Sequence, residues 1–287
     1  MKTELVEVAA LIREASELEP LPASTARLAT LVTGEEFELD EVAETIRLDE
    51  ALTGRLLGAA NSARSGARVT VSTVDQAVLR LGPGAVLALA LGSGVGARMR
   101  QALPGYGLSE GELWRHSVAA ALAVERSRRY SRCPVQPEAF AAALLHDLGK
   151  LVLSRHLSPE TLATLGEARQ ARGLSMDEAE HEVLGTGHAA IGASVARHWG
   201  LPDSICLAIE HHHAPLDAPD ERSRRLCSLI RLADATAKEV RAACGEDARN
   251  EFGPSIAGSL GINSAGFEAL CEDVSRRFDE VLERYGD

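Results

Sequence analysis

Apolar residues, mostly Ala, Leu and Val, recur at intervals of three and four along almost the whole chain, the period of a helix buried on one face. The alternation that marks a half-buried strand appears briefly at Arg68 to Thr73 and nowhere else. The pattern therefore predicts an all-α protein. Short helices are expected between Leu11 and Ala97: through Thr25 to Leu31, from Asp40 to Arg47, and from Glu50 to Ala60, where Asn61-Ser62 ends the third. Leu81-Gly82-Pro83-Gly84 reads as a turn between helices, because it lacks both the preceding strand and the GK[ST] ending of a phosphate loop. The Pro-Gly punctuation at Leu103-Pro104-Gly105-Tyr106-Gly107 predicts a loop that divides the chain. We place an N-terminal helical part at 1–105 and a second helical part with the C-terminal helices at 106–287.

Polar groups interrupt the apolar stripes of the second part at specific positions. In the helix expected over Arg222 to Arg241, Leu226, Leu229, Ile230, Ala233 and Ala237 form one face, and Asp234 falls on it. His212 follows Ile205 by seven and Ile209 by three; His116 follows Leu113 by three; Asp147 follows Phe140 by seven and Leu144 by three. An ionised carboxylate on a buried face needs a cation, a histidine or a metal ion. Six of the nine histidines lie between His181 and His213, and the helix start at Gly185-Thr186-Gly187-His188 offers another inward imidazole. If these helices meet, the result is a mixed nitrogen and oxygen pocket suited to Fe, Mn, Zn or Mg.

Each residue also has a plainer reading. A single inward histidine is usually a hydrogen-bonded core residue. Glu112 fits a capping box in Ser109-Glu110-Gly111-Glu112, although it is also four residues from His116 on one face. Lys150 is one of 3 lysines against 27 arginines; it offers a compact ammonium to a phosphate, or it complements a helix terminus near Gly149.

Composition narrows the classes. With 30 Lys and Arg against 42 Asp and Glu, a net charge of −12 disfavours direct nucleic-acid binding and favours a basic protein partner. No apolar run approaches the roughly 20 residues that span a bilayer, and the charged N-terminus lacks a signal-peptide core, so no membrane association and a cytoplasmic location are expected. Cys133, Cys206, Cys227, Cys244 and Cys271 form no CxxC pair and read as reduced thiols.

Leu144-Leu145-His146-Asp147-Leu148-Gly149-Lys150 resembles the doublet of the HD superfamily of metal-dependent phosphohydrolases. The fuller set resembles the HDOD (HD-related output domain) family: Leu18-Glu19-Pro20-Leu21-Pro22, Ile46 to Thr53 with Asn61-Ser62-Ala63, Ala77 to Gly82, Leu113 to Ser117, Gly187-His188-Ala189 with Gly192, Trp199 to Pro202, and His212 to Pro215. The resemblance implies an N-terminal helical subdomain packed on an HD-like helical subdomain, in a bacterial signalling protein that acts through regulatory protein partners. By similarity to the related HD-GYP phosphodiesterases, His116, His146, Asp147, His188, His212, His213 and Asp234 fall where divalent-metal ligands would, with Glu112 as a further candidate. Asp147 and Lys150 then take the catalytic positions, Lys150 facing phosphate. Ala214-Pro215-Leu216-Asp217-Ala218-Pro219 carries no Gly-Tyr-Pro segment, which argues against a cyclic di-GMP substrate. Two main readings stay open: a regulatory module with a metal-binding pocket, and a metal-dependent phosphohydrolase or phosphodiesterase of unknown substrate. An iron-pair redox sensor is a third.

Overall fold

The structure, a computed structural model, describes residues 8–34, 38–62, 70–240 and 254–285. They form helices and turns with no strand; a single bridge joins Leu103 and Leu108. The helices are α1 (Val8–Glu17), α2 (Ala23–Thr33), α3 (Leu39–Arg47), α4 (Glu50–Ser62), α5 (Val74–Leu81), α6 (Pro83–Met99), α7 (Glu112–Ser127) and α8 (Ala139–Leu145). There follow α9 (Lys150–Leu153), α10 (Pro159–Arg172), α11 (Met176–Leu184), α12 (His188–His198), α13 (Asp203–Glu210), α14 (Glu221–Glu239), α15 (Pro254–Leu260) and α16 (Ser264–Tyr285).

The three short helices expected in the first half are α2, α3 and α4, each extended by a residue or two. The brief alternation at Arg68 to Thr73 gives no strand over Thr70 to Thr73, in keeping with the all-α expectation; Arg68 and Val69 lie outside the described residues, as do Cys244 and Arg241. Asn61 explains the extended segment. Its amide donates to the Val71 carbonyl and its carbonyl accepts from the Val71 N–H, both at 2.8 Å, so one side chain supplies the pairing that a partner strand would. Leu81-Gly82-Pro83 is the turn between α5 and α6, with Gly82 at φ 81° and Pro83 opening the second helix. Among the described residues no single helix is long and apolar enough to cross a membrane; the bent pair α5–α6 has the length and composition, but its two helices diverge by 107°.

The core is aliphatic and continuous. In the second half α7 lies at the centre, packed by α8, α14 and α16, while α12 and α13 pair beside it. The apolar face of α16, with Phe267, Leu270, Cys271, Val274 and Phe278 buried, is spent on α7 and α14. The α1 helix packs across α12 and α9, fastened where Arg155 donates to Glu14 Oε1 at 2.8 Å.

Candidate metal centre

His116 sits fully buried in the second turn of α7, and Asp234 is buried on α14, the helix packed against it. These two follow the apolar stripes. Asp147 and His212 correct the stripe argument, for they lie, with His146 and His213 beside them, in turns just past the ends of α8 and α13 rather than on helical faces. The chain leaves α8 at Leu145 and tightens through short-range bonds, Leu148 N–H to Leu145 O at 2.9 Å and Lys150 N–H to Asp147 O at 3.0 Å. Gly149 makes this possible by lying directly on α12. A Cβ there would stand 1.9 Å from the His188 carbonyl oxygen, so only glycine lets the turn press against the helix that carries His188. At the other turn, the His212 ring Nδ1 lies 2.6 Å from the Ile209 carbonyl and closes the C-terminal end of α13.

The seven residues converge. His116 Nε2 lies 3.2 Å from His146 Nε2, 3.1 Å from Asp234 Oδ1 and 3.5 Å from Asp147 Oδ2. His146 Nε2 stands 3.5 Å from Asp147 Oδ2 and 3.6 Å from Asp234 Oδ1. Donor atoms about 2.1 Å from a shared ion sit about 3.0 to 3.5 Å from one another in octahedral or tetrahedral arrangements, so this spacing fits a first ion. The other oxygen of Asp147, Oδ1, is 3.3 Å from His188 Nε2, and His188, His212 and His213 form a second group whose ring nitrogens lie within 4.8 Å of one another. Glu112 is different: its carboxylate accepts the Ser109 N–H, half of the expected capping box, while Gly111 rather than Ser109 caps α7. Glu112 nevertheless lines the same cavity.

Ring orientation follows from what each Nδ1 meets. The Nδ1–H groups of His146, His188 and His212 point to the Ala143 carbonyl (2.7 Å), the Glu180 carboxylate (2.7 Å) and the Ile209 carbonyl (2.6 Å). Each therefore turns its Nε2 toward the cluster, the arrangement in which an outer acceptor sets the tautomer of a metal-ligating histidine. His212 Nε2 is buried with no hydrogen-bond partner among the described residues, a cost that a cation at the centre of the cluster removes. The residues fit a divalent ion on that ground.

Charge is balanced by lysines. Lys150 Nζ donates to Asp147 Oδ2 at 2.8 Å, and Lys238 Nζ lies 3.0 Å from Asp234 Oδ2. Burial alone would raise both carboxyls, yet Lys150 and the imidazoles hold Asp147, and Lys238 and the imidazoles hold Asp234, well below the usual carboxylate range. Burial also disfavours a charged His188, but Glu180 and Asp147 outweigh it and push its pKa up to about 10. Burial and the adjoining imidazoles hold His212 and His213 well below theirs.

A cavity of about 400 Å³ opens onto the cluster. Asp147, His188, His213 and Asp234 form its floor, and Lys150, Arg169 and Lys238 bring positive charge to its walls. Tyr106, from the dividing loop, forms another wall; its hydroxyl donates to Glu180 Oε1 at 2.7 Å and its ring lies under Lys150. The sequence reading missed Tyr106, Glu180, Arg169, Arg231 and Lys238. Only Lys238 carried a signal, standing one helical turn after Asp234.

The HDOD domain family model matches residues 18–215, more than half of the chain. The chain belongs to the HDOD family. An uncharacterized protein of Treponema pallidum (strain Nichols) is 26% identical over 238 residues, 82% of this chain and 45% of that protein, so the chain spans less than half the length of this relative. Among solved structures, an HDOD domain protein of unknown function from Geobacter sulfurreducens superposes with a TM-score of 0.69 at 22% identity, covering 96% of this chain and 99% of that one. A Shewanella amazonensis SB2B protein provisionally named a phosphohydrolase gives 0.62 at 26% identity over 93% and 94%. A Marinobacter aquaeolei VT8 protein provisionally named a signal transduction protein gives 0.71 at 23% identity over 97% and 64%. The all-helical HDOD fold expected from the sequence is the fold of these proteins.

Proposed function

We propose that this HDOD protein is a divalent-metal phosphohydrolase acting on a small phosphoester. The observation that carries the reading is Asp147, whose two oxygens face two separate donor groups on the floor of a cation-lined cavity. His116, His146, Asp147 and Asp234 would hold one ion; Asp147, His188 and His212 would hold the other. The mixed imidazole and carboxylate set suits Fe, Mn or Zn better than Mg. Bound ions of this kind lower the pKa of a water and polarise a phosphoryl oxygen. The chain's own part is orientation and charge. Glu180 fixes the His188 ring, Lys150 and Lys238 stand where an ammonium can donate to a nonbridging oxygen, and Arg169, which lines the same cavity, offers a planar fork to a phosphate. The 26% identical Shewanella neighbour bears a phosphohydrolase name, which supports the same reading.

The test is turnover of bis(p-nitrophenyl) phosphate and p-nitrophenyl phosphate by protein reconstituted with Mn, Fe or Zn. Lys150→Met should keep its metal and lose on the order of 100-fold in kcat. A metal-loaded wild type that hydrolyses neither ester contradicts the proposal.

One observation favours the second reading, a regulatory module acting through a protein partner. Lys150 and Lys238 already neutralise the carboxylates that metal ions would take, so those two carboxylates are also satisfied as internal ion pairs. That reading expects folded protein that hydrolyses neither ester, whether its pocket is occupied by metal or empty.

A further inference from the structure

We infer that His213 is the hydrogen-bond donor of the site rather than a metal ligand, its ring turned by Arg231 so that an N–H is offered to a phosphoryl oxygen in the cavity. The inference rests on the phosphohydrolase reading for the identity of the acceptor, and on hydrogen-bond geometry for the rest.

Arg231 lies on α14, three residues before Asp234, and its Nη1 is 2.7 Å from His213 Nδ1. A guanidinium has five N–H donors, no acceptor, and does not deprotonate in proteins. His213 Nδ1 must therefore accept. A neutral imidazole carries one proton, so that proton sits on Nε2 and leaves no lone pair there for a metal.

The contrast with the neighbouring rings is internal to the site. His146, His188 and His212 each direct Nδ1 at a carbonyl or carboxylate oxygen, which can only accept, and so each leaves Nε2 as the nitrogen an ion would take. His212 and His213 are adjacent in the chain with ring centroids 4.0 Å apart, yet the groups behind them impose opposite tautomers. His213 Nε2 lies 2.9 Å from His188 Nε2. With the His188 Nε2 bound to an ion, the His213 N–H has no acceptor on that ring and faces the cavity it lines beside Lys150 and Lys238. An N–H held there stabilises charge on a phosphoryl oxygen without giving up its proton.

Zn-reconstituted protein labelled with ¹⁵N at histidine reads the tautomer directly, through two-bond ¹H–¹⁵N spectra. The expected pattern is Nε2–H for His213 and Nδ1–H for His146, His188 and His212. His213→Gln should retain the wild-type metal content, His212→Gln should lose one equivalent, and inorganic phosphate should bind metal-loaded His213→Gln about tenfold more weakly than wild type. Arg231→Met, which removes the group that turns the ring, should show part of the same phosphate loss and serves should His213→Gln not fold. Loss of a metal equivalent in His213→Gln, a metal-bound Nε2 signal for His213, or unchanged phosphate affinity overturns the inference. Failure of the phosphohydrolase reading shows separately, as a metal-loaded wild type that binds phosphate and hydrolyses no ester.

Discussion

Glu180 does three things with one buried carboxylate. It accepts the His188 backbone N–H at 2.7 Å at the start of α12, the His188 Nδ1–H at 2.7 Å, and the Tyr106 hydroxyl at 2.7 Å. The first satisfies an exposed helix donor, the second fixes the tautomer, and the third ties the dividing loop to the floor of the site. Glu180→Gln keeps the shape and removes the charge, so the fold should survive while metal affinity falls about 10- to 100-fold. Competition with a chromogenic chelator measures this; unchanged affinity would show that His188 is not a ligand. None of these roles was legible in the sequence, because Glu180 sits in a polar stretch, Met176 to Leu184, where a buried carboxylate looks like any exposed one. His116 and Asp234 were legible, since each breaks an apolar stripe on its own helix.

Helix ends decide most of what pattern alone could not see. The expectation over Arg222 to Arg241 corresponds to α14, whose long apolar face repeats often enough to set its extent. The turns after α8 and α13 carry His146, Asp147, His212 and His213, and there helical spacing has no meaning; the contact of Gly149 with the His188 carbonyl sets the geometry. A cap of the ordinary kind operates in the first half, where Asp49 Oδ1 accepts the Leu52 N–H at 2.9 Å and Oδ2 accepts the Ser24 hydroxyl at 2.8 Å, joining α4 to α2. The Leu52 N–H and the Ser24 hydroxyl hold the Asp49 carboxyl below its usual value. The unfolded chain then binds the proton more readily than the folded one, so the stabilisation is present above about pH 4 and is lost as pH falls through the lower, folded value. Asp49→Ala should cost about 1 kcal/mol at pH 7. Thermal melts at pH 7 and pH 3 check it: the gap between wild type and variant should shrink in acid, and a constant gap would remove the carboxylate from the account.

Over the whole molecule the charge pattern is inverted at the cavity. The chain carries a net −12, yet Lys150, Arg169 and Lys238 gather at one opening, and two of the three lysines in the sequence stand at the site. Screening in physiological salt reaches about 8 Å, so an anion inside the cavity feels these cations more than the distant acidic surface. The scarcity of lysine pointed toward Lys150 from the sequence, and the family motifs supplied the candidate ligand set; convergence itself, with the residues meeting at Asp147, needed the fold. The central claim is that this convergence holds metal. Plasma mass spectrometry on protein purified without chelator or a His-tag, beside the His146→Ala, Asp147→Ala double variant, tests it most directly. The account predicts about two equivalents of a transition metal in the wild type and their loss in the variant. Folded wild-type protein that stays metal-free after exposure to Mn, Fe and Zn would contradict it.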